Sequence, residues 1–459
     1  MPAGPAAQSP AVAAGPAGPA HPAGVAAPTE VASLPAQPPL AQPGGEGPNP
    51  AVPPGPSTEP APLPPEDLGR LETGGEVLLK FDAGKGAWER VSGAALLKSQ
   101  DRLLALPVFR PVISLPGKLR LQLIDGTLVQ LLPSDPRGVP GVAVEYGQLI
   151  LETDSETGAS LRLRAGERLG VVTLTDAKSR VAIQVGRMEG STADPETQPA
   201  PLAVDLYATQ GKVLWQEGDL APVAVSAPLE LSLERQPLEA VAVTRLPDWA
   251  NASLDTVDAL DRRAAAALDK ALDGTRGVTL VLRELADRPQ REVSWLALRC
   301  LAHLGDYGLM VAALNNPDLK GFWPDYIEQL RAGVRRNPLS AAQVRTAMEK
   351  LYGPQGADLY ELLWRYSDQG VSSEEATRLV RLLEDETLAV RVLSSWNLKR
   401  ITGLGLYYQP EQTPAKRAPS VQKWKERLQS NPTLRGRSGP ETEPPLGAPP
   451  AESGVLPSP

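Results

Sequence analysis

Apolar and polar side chains alternate in short runs through the first half of the chain, from about residue 75 to 247. In the run KLRLQLIDGTLVQLLP, residues 118–133, leucines alternate with polar residues on both sides of Asp125-Gly126. Alternation with a period of two is typical of half-buried antiparallel strands, and an Asp-Gly pair favours a two-residue hairpin turn. We therefore predict a hairpin that turns at Asp125-Gly126 and serves the architecture of the protein rather than a site.

Similar alternating runs follow, separated by clusters of Gly, Pro, Asp and Ser. They occupy residues 141–153, 159–175, 179–188, 202–215 and 227–234. Many short strands without a helical pattern among them indicate an all-β antiparallel domain. The spacing is compatible with a sandwich, a roll or a β-solenoid, and the pattern does not separate these three.

After Trp249 the apolar residues recur at intervals of three and four, which is the helical period. We predict a first helix that begins at the N-cap Ser253 and stops at Gly274. Further helices are predicted at residues 277–287, 291–305, 322–334, 339–353, 357–370, 372–385 and 387–403. Short connections between them imply antiparallel neighbours.

Two of these helical segments resemble each other. Val293, Leu301 and Leu304 share their spacing with Val390, Leu398 and Ile401. Together with the helix before the second segment, this pattern resembles a HEAT-type repeat, in which stacked helix pairs bury one another's apolar faces. An irregular helical bundle is the alternative.

The two ends of the chain have the composition of linkers. Residues 1–68 are rich in Pro, Ala and Gly, and only three charged residues occur before Glu66. Residues 431–459 are similar, and such segments cannot bury enough apolar surface to offset their ordering entropy. We therefore predict disorder at both ends, around a β domain at 69–247 and an α-helical domain at 253–430.

The composition of the chain argues against several kinds of function and site. The net charge of -8 argues against a general nucleic-acid binder, and two histidines, His21 and His303, leave no multi-histidine metal site. The chain shows no signal peptide and no run of ~18 apolar residues that would span a membrane. A linker with nothing folded before it suggests an anchor upstream of Met1 in a longer product.

Part of the β half resembles a known family. Trp88 and Val91, then the Asp125-Gly126 pair, then Tyr146-Gly147-Gln148-Leu149-Ile150-Leu151 and a later Gly211-Lys212-Val213 follow the pattern of the bacterial FecR-like domain. The middle of the domain departs from that pattern, because the run 181–188 lacks the aromatic residue that the family carries there.

The resemblance implies a periplasmic, non-enzymatic domain that senses or transmits the state of a partner protein. FecR-type regulators also carry a sigma-factor-binding segment and one membrane helix, and this sequence contains neither. The resemblance therefore supports a FecR-like domain of the cell envelope and not a transmembrane regulator.

Two groups of reactive side chains have a structural interpretation. Cys300 and His303 lie three residues apart on a predicted helix, as a nucleophile and its base would, but the surrounding run is apolar and favours core packing. Glu384, Asp385 and Glu386 lie between two predicted helices, where acids favour a following helix N-terminus. We predict no catalytic, cofactor-binding or metal-binding residue.

Two surface patches are candidates for interaction. A basic patch is predicted near the end of the helical half, with Trp424 inside it, and could meet an anionic surface; its residues are Lys416, Arg417, Lys423, Lys425 and Arg427. Aromatic residues at helical spacing are mostly core. Exposed together, they would form a protein-binding patch at Phe322, Trp323 and Tyr326.

The sequence thus favours an α+β multidomain protein that binds another protein without catalysis or cofactor. No specific nucleic-acid partner is expected, and a membrane would be reached only through an upstream anchor or the basic segment. Two alternatives stay open: a soluble cytoplasmic helical-repeat adaptor, and an envelope protein that binds or hydrolyses carbohydrate.

Overall fold

The computed structural model describes residues 65–72, 76–93, 95–188, 190–250, 257–367, 370–430 and 434–435. All of these residues belong to one compact unit, Leu63–Pro459. The predictions for residues 1–64, for Ser253 and for the tail beyond residue 435 lie outside the described residues.

The first half of the structure is a mixed β-sheet of sixteen strands within the described ranges. Its strands are β1 (Asp67–Leu71), β2 (Leu78–Asp82), β3 (Ala87–Arg90), β4 (Leu96–Lys98), β5 (Arg102–Ala105), β6 (Val112–Leu115), β7 (Leu119–Leu132), β8 (Gly141–Thr153), β9 (Ala159–Ala165), β10 (Arg168–Leu174), β11 (Arg180–Arg187), β12 (Leu202–Gln210), β13 (Lys212–Glu217), β14 (Val223–Ser226), β15 (Leu229–Ser232) and β16 (Val241–Ala242). The predicted runs all coincide with strands, and β1 begins before the predicted start of the β region.

The sheet branches at its two longest strands, β7 and β8. One branch runs β3-β2-β5-β7-β8-β9-β10-β13-β14, and the other runs β4-β1-β6-β7-β8-β11-β12-β15-β16. Among the described strands every pair is antiparallel except β8 with β9. Antiparallel pairing is therefore confirmed for the great majority of strands, and it excludes a β-solenoid, whose neighbouring strands are parallel.

The Asp125-Gly126 pair is not a hairpin turn, so this prediction is wrong. Both residues lie inside β7, at a bulge where residues 125–127 face the single residue Gly147 of β8. The hairpin turns instead in the loop 133–140. Asp125 and Gly126 do have positive φ angles, of 37° and 77°, so the local preference of Asp-Gly is used to bend a strand rather than to end it.

The bend of β7 and β8 lets the two branches enclose one hydrophobic core. Before the bend, Leu121 and Leu123 point into this core, and after it Val129 and Leu131 do so. Residues from both branches contribute, including the fully buried Trp215 of β13. The bend itself is fixed by Thr127, whose buried hydroxyl accepts the Gln148 N–H at 2.8 Å.

The second half of the structure contains ten α-helices in the described ranges. They are α1 (Ala259–Leu272), α2 (Val278–Ala286), α3 (Arg291–His303), α4 (Gly308–Ala313), α5 (Trp323–Arg336), α6 (Pro338–Tyr352), α7 (Gln355–Trp364), α8 (Ser373–Leu382), α9 (Leu388–Thr402) and α10 (Pro414–Ser430). A short ribbon pairs β17 (Gly370–Val371) with β18 (Leu434–Arg435). None of these helices is long and apolar enough to cross a lipid bilayer.

The predicted helices are found close to their expected positions. The main difference is at α1, which begins at Ala259, where Asp258 caps the helix by accepting the Leu260 N–H. The short α4 and the long α10 were not predicted. Helices α3, α5, α7 and α9 contact one another in that order, and each also packs on at least one neighbour in the chain.

The helices cover the outer face of the sheet branch that contains β2 and β5. Side chains of these strands and of the residues next to them join the hydrophobic core of the helices; they are Val77, Leu79, Leu104, Leu106, Phe109, Leu128 and Tyr146. Arg90 of β3 also donates to the Asp269 carbonyl of α1 at 2.7 Å. The helical core therefore includes one face of the sheet, while the core between the two branches contains residues of the β half alone.

Candidate functional site

A cleft lies where the bend of the sheet meets the helices. Its walls are the centres of β7 and β8, the end of β11, and the helices α3 and α5, and its volume is about 490 Å³. The two halves of the chain therefore build this cleft together, since neither half supplies all of its walls.

Positive charge dominates the lining of the cleft. It contains five arginines against two carboxylates; the arginines are Arg187, Arg299, Arg331, Arg335 and Arg336, and the carboxylates are Asp125 and Glu328. We call this feature the arginine cleft. Like charges repel when they are held together, so the lining favours an anion.

Arg187 and Arg336 have no carboxylate partner among the described residues. Arg187 donates from Nη1 to the Ala200 carbonyl at 2.5 Å, and its Nε is buried without a hydrogen-bond partner there. Arg336 donates from Nη1 to the Ala302 carbonyl at 2.8 Å, and its guanidinium lies 5.2 Å from the ring centre of Tyr146. These contacts orient both side chains and leave their charges uncompensated.

The other charges of the cleft are partly balanced. Arg299 pairs with Asp125 of the bulge at 3.2 Å, so the Asp-Gly pair that bends β7 also supplies one wall of the cleft. Burial is the main cause that lowers the pKa of the neighbouring Arg400 to about 10, and the positive charge of Arg335 adds to this shift. Arg335 therefore lies close to Arg400, at the end of the cleft near α9.

His303 forms the partition between the arginine cleft and a smaller cavity next to it. Its Nε2 lies 3.3 Å from Nη2 of Arg336, so Nε2 accepts and the proton is assigned to Nδ1. Burial, together with the charges of Arg336 and Arg299, holds the pKa of His303 well below its usual range. The imidazole is therefore neutral at pH 7.

The prediction of core packing holds for Cys300 and needs correction for His303. Cys300 is fully buried, and burial raises the pKa of its thiol. His303 is half-buried and lines the cleft because it lies near the C-terminal end of α3, where the helix passes the bend of the sheet. The two side chains do not form a nucleophile and base, since a thiol with a raised pKa stays protonated.

The acidic cluster at residues 384–386 borders another cavity, of about 680 Å³. Glu384 pairs with Lys425 at 2.8 Å, and Asp385 accepts the Thr387 N–H at the start of α9. The carbonyls of Asp385 and Glu386 accept from Arg391. The cluster therefore lies at a helix N-terminus, as predicted.

Only some residues of the predicted basic patch are exposed. Lys416, Lys423 and Lys425 are exposed, whereas Arg427 is half-buried. Arg417 is 7% exposed and donates to the Gln412 carbonyl, and Trp424 is 1% exposed. The prediction is therefore wrong for Arg417 and Trp424: both lie on the inward face of the amphipathic α10, a helix that the apolar pattern does not predict.

The predicted aromatic patch is mainly core. Trp323 and Tyr326 are buried on the inward face of α5, and Trp323 donates from Nε1 to the Ala313 carbonyl at 2.9 Å. Phe322 is half-buried and is covered by the guanidinium of Arg291, 4.7 Å from its ring centre. The residues therefore present little aromatic surface to a partner.

The arginine cleft itself was not predicted. Its cationic residues come from β11, α3 and α5, and Arg187 of β11 lies more than one hundred residues before the others. The adjacent pair Arg335-Arg336 at the end of an amphipathic helix was a visible signal, whereas nothing in the sequence marked Arg187.

The geometry is suited to holding an anion. Guanidinium groups bind carboxylates and phosphates in a bidentate manner, and three glutamine amides, of Gln148, Gln184 and Gln329, add donors and acceptors. Within the described residues, no group of three or more His, Cys, Asp or Glu side chains is placed to hold a metal ion. The chain matches no protein-family model, no curated protein and no solved structure.

Proposed function

We propose that the protein is a non-enzymatic interaction protein that holds an acidic segment of another protein in the arginine cleft. The observation that carries this proposal is the pair of guanidinium groups, of Arg187 and Arg336, that lack a carboxylate partner among the described residues. An incoming carboxylate supplies the missing counter-charge.

The dimensions of the cleft support a segment rather than a whole surface. A volume of about 490 Å³ accommodates a few side chains, and the cleft is open to solvent along one side. Carboxylates of the segment pair with the arginines, while Gln148, Gln184 and Gln329 are available to its peptide groups. The protein's own net charge of -8 disfavours non-specific binding of an acidic segment.

The architecture we propose for this protein is a FecR-like domain at 69–247 followed by a HEAT-like helical repeat at 253–430, in the bacterial cell envelope. The stacking order α3, α5, α7, α9 supports the repeat, and the residues quoted for the FecR pattern support the first domain. Fractionation of the producing cells tests the compartment. We expect the protein in the envelope or periplasmic fraction, and recovery in the cytosol would favour the adaptor alternative.

Binding is tested by the fluorescence anisotropy of a labelled hexaglutamate peptide titrated with the full-length protein at about 50 mM salt. We expect saturable binding that weakens as salt is added. Arg187→Gln and Arg336→Gln should each weaken it about tenfold, because a hydrogen bond to a charged group contributes about 1.5 kcal/mol or more.

Arg381→Gln is the matched control, since Arg381 is an exposed arginine on α8 outside the lining of the cleft. It removes the same charge and should leave the affinity unchanged. Equal losses of affinity in all three variants would mean that peptide binding depends on net charge alone, and the proposal would then be abandoned.

A further inference from the structure

The loop between β11 and β12, described at residues 188 and 190–201, leaves the sheet and docks on the helices. Within it, Asp194 and Glu196 are separated only by Pro195. Two backbone N–H groups, of Thr197 and Gln198, donate to the Asp194 carbonyl, so this part of the loop is tightly turned. The turn presents both carboxylates on the side that faces α6 and α7.

Arg345 of α6 holds both carboxylates. Its Nη2 lies 2.5 Å from Oδ2 of Asp194, and its Nε lies 2.8 Å from Oε2 of Glu196. The second contact is close enough for an ion pair, although the Nε–H is not directed at that oxygen. Tyr360 of α7 donates its hydroxyl to Asp194 at 2.9 Å, and its ring lies under the Arg345 guanidinium.

The same loop covers one end of the arginine cleft. Arg187 and Arg335 line the cleft and also a small cavity of about 20 Å³, whose other walls include Ser191 and Pro195 of the loop. If the loop leaves, this small cavity opens and the cleft extends along Arg335 towards the helices. The released Arg345 then becomes available as a further cation.

We propose that Asp194-Pro195-Glu196 is an internal substitute for the acidic partner and competes with it. This inference rests on the proposed function of the arginine cleft and specifies its partner: a segment with two carboxylates separated by one residue, which Arg345 and Tyr360 receive, followed by further acids that reach Arg187. The partner binds fully only when the loop is displaced.

Competition of this kind lowers the apparent affinity by the fraction of molecules in which the loop is displaced. The double variant Asp194→Asn, Glu196→Gln weakens the hold of Arg345 on the loop, and it should therefore bind the labelled hexaglutamate peptide about three to ten times more tightly than the unchanged protein. Tyr360 and Arg345 stay in place in this variant to receive the peptide.

The matched control is Asp154→Asn, Glu156→Gln. These two acids are also separated by one residue and are exposed in the loop between β8 and β9, away from Arg345. The control makes the same change in net charge, so any gain in affinity that it shares with the first variant is non-specific.

A second measurement uses the unchanged protein, in case the variant folds poorly. Amide hydrogen exchange in residues 190–198 should become faster when the hexaglutamate peptide is added, since the loop is displaced. Equal affinity of both double variants, or unchanged exchange in the loop of the peptide-bound protein, would overturn the inference and leave the arginine cleft as a binding site. Absence of peptide binding in every form would overturn the proposed function and this inference together.

Discussion

At the scale of single residues, surroundings decide what a side chain does. His303 lies in an apolar run and was predicted to be core, yet it borders a cleft between two guanidinium groups. Its neutral imidazole accepts from Arg336 and so helps to orient one of the two arginines that lack a carboxylate. Because protonation would add a third positive charge there, folding and the titration of His303 are linked.

We predict that His303 makes the protein less stable in mild acid. The pKa of His303 is lowered on folding. Below about pH 6.5 His303 is therefore protonated in the unfolded chain and stays neutral in the folded chain. Because of this difference, the free energy of unfolding falls by up to about 1.4 kcal/mol for each pH unit of acidification. Above about pH 6.5 both states are neutral at this residue, and the effect disappears.

Urea unfolding at about pH 7.5 and about pH 5.5 measures this dependence, in a range where few carboxylates titrate. His303→Gln keeps an acceptor for Arg336 and should show a smaller loss of stability at the lower pH. The sequence contains one other histidine, His21, so His21→Gln is the control and should behave as the unchanged protein. Parallel behaviour of all three proteins would contradict the prediction.

At the scale of elements, the bulge in β7 has two structural roles. It bends β7 and β8 so that both branches of the sheet close around one core, and it carries Asp125 to Arg299 at the wall of the cleft. Gly126 is required at this bulge because its φ is 77° and because a Cβ there would overlap the His303 ring.

We predict that Gly126→Ala destabilises the protein by about 2 kcal/mol or more, the sum of backbone strain and displacement of His303. Gly138→Ala is the control, since Gly138 has a similar φ of 80° and no atom within 4 Å of an added Cβ. The control should lose about 1 kcal/mol from strain alone. Denaturant unfolding compares the two, and equal losses would show that the contact with His303 contributes nothing.

At the scale of the whole molecule, the sheet and the helices depend on each other. Seven apolar side chains of the β half lie in the core of the helices, and the arginine cleft takes its walls from both halves. The loop that carries Asp194 adds a further connection, through Arg345. The shared core raises the question of whether the two predicted domains fold independently.

We predict that residues 65–250 and 257–435, produced separately, expose this shared apolar surface and bind a hydrophobic dye, because an uncovered patch of this kind attracts apolar ligands and partners. Produced together in one cell, the two fragments should purify as a complex. Two soluble fragments that each unfold cooperatively and do not associate would contradict this prediction and support two independent domains.

The order and position of most strands and helices could be read from the sequence. The period of the apolar residues is a local property, so β8 and β11 in the sheet and α3 and α9 among the helices occur close to where the pattern predicted them. The composition of the two ends likewise set the limits of the patterned region.

Contacts between distant residues decided the remaining features. Whether Asp125-Gly126 ends a strand or bends it depends on Gly147, which lies opposite in β8. Whether Arg417 and Trp323 are exposed depends on which face of α10 and α5 turns inward. The arginine cleft exists because tertiary packing brings β11, α3 and α5 together. The local sequence around each arginine does not indicate which distant elements will pack beside it.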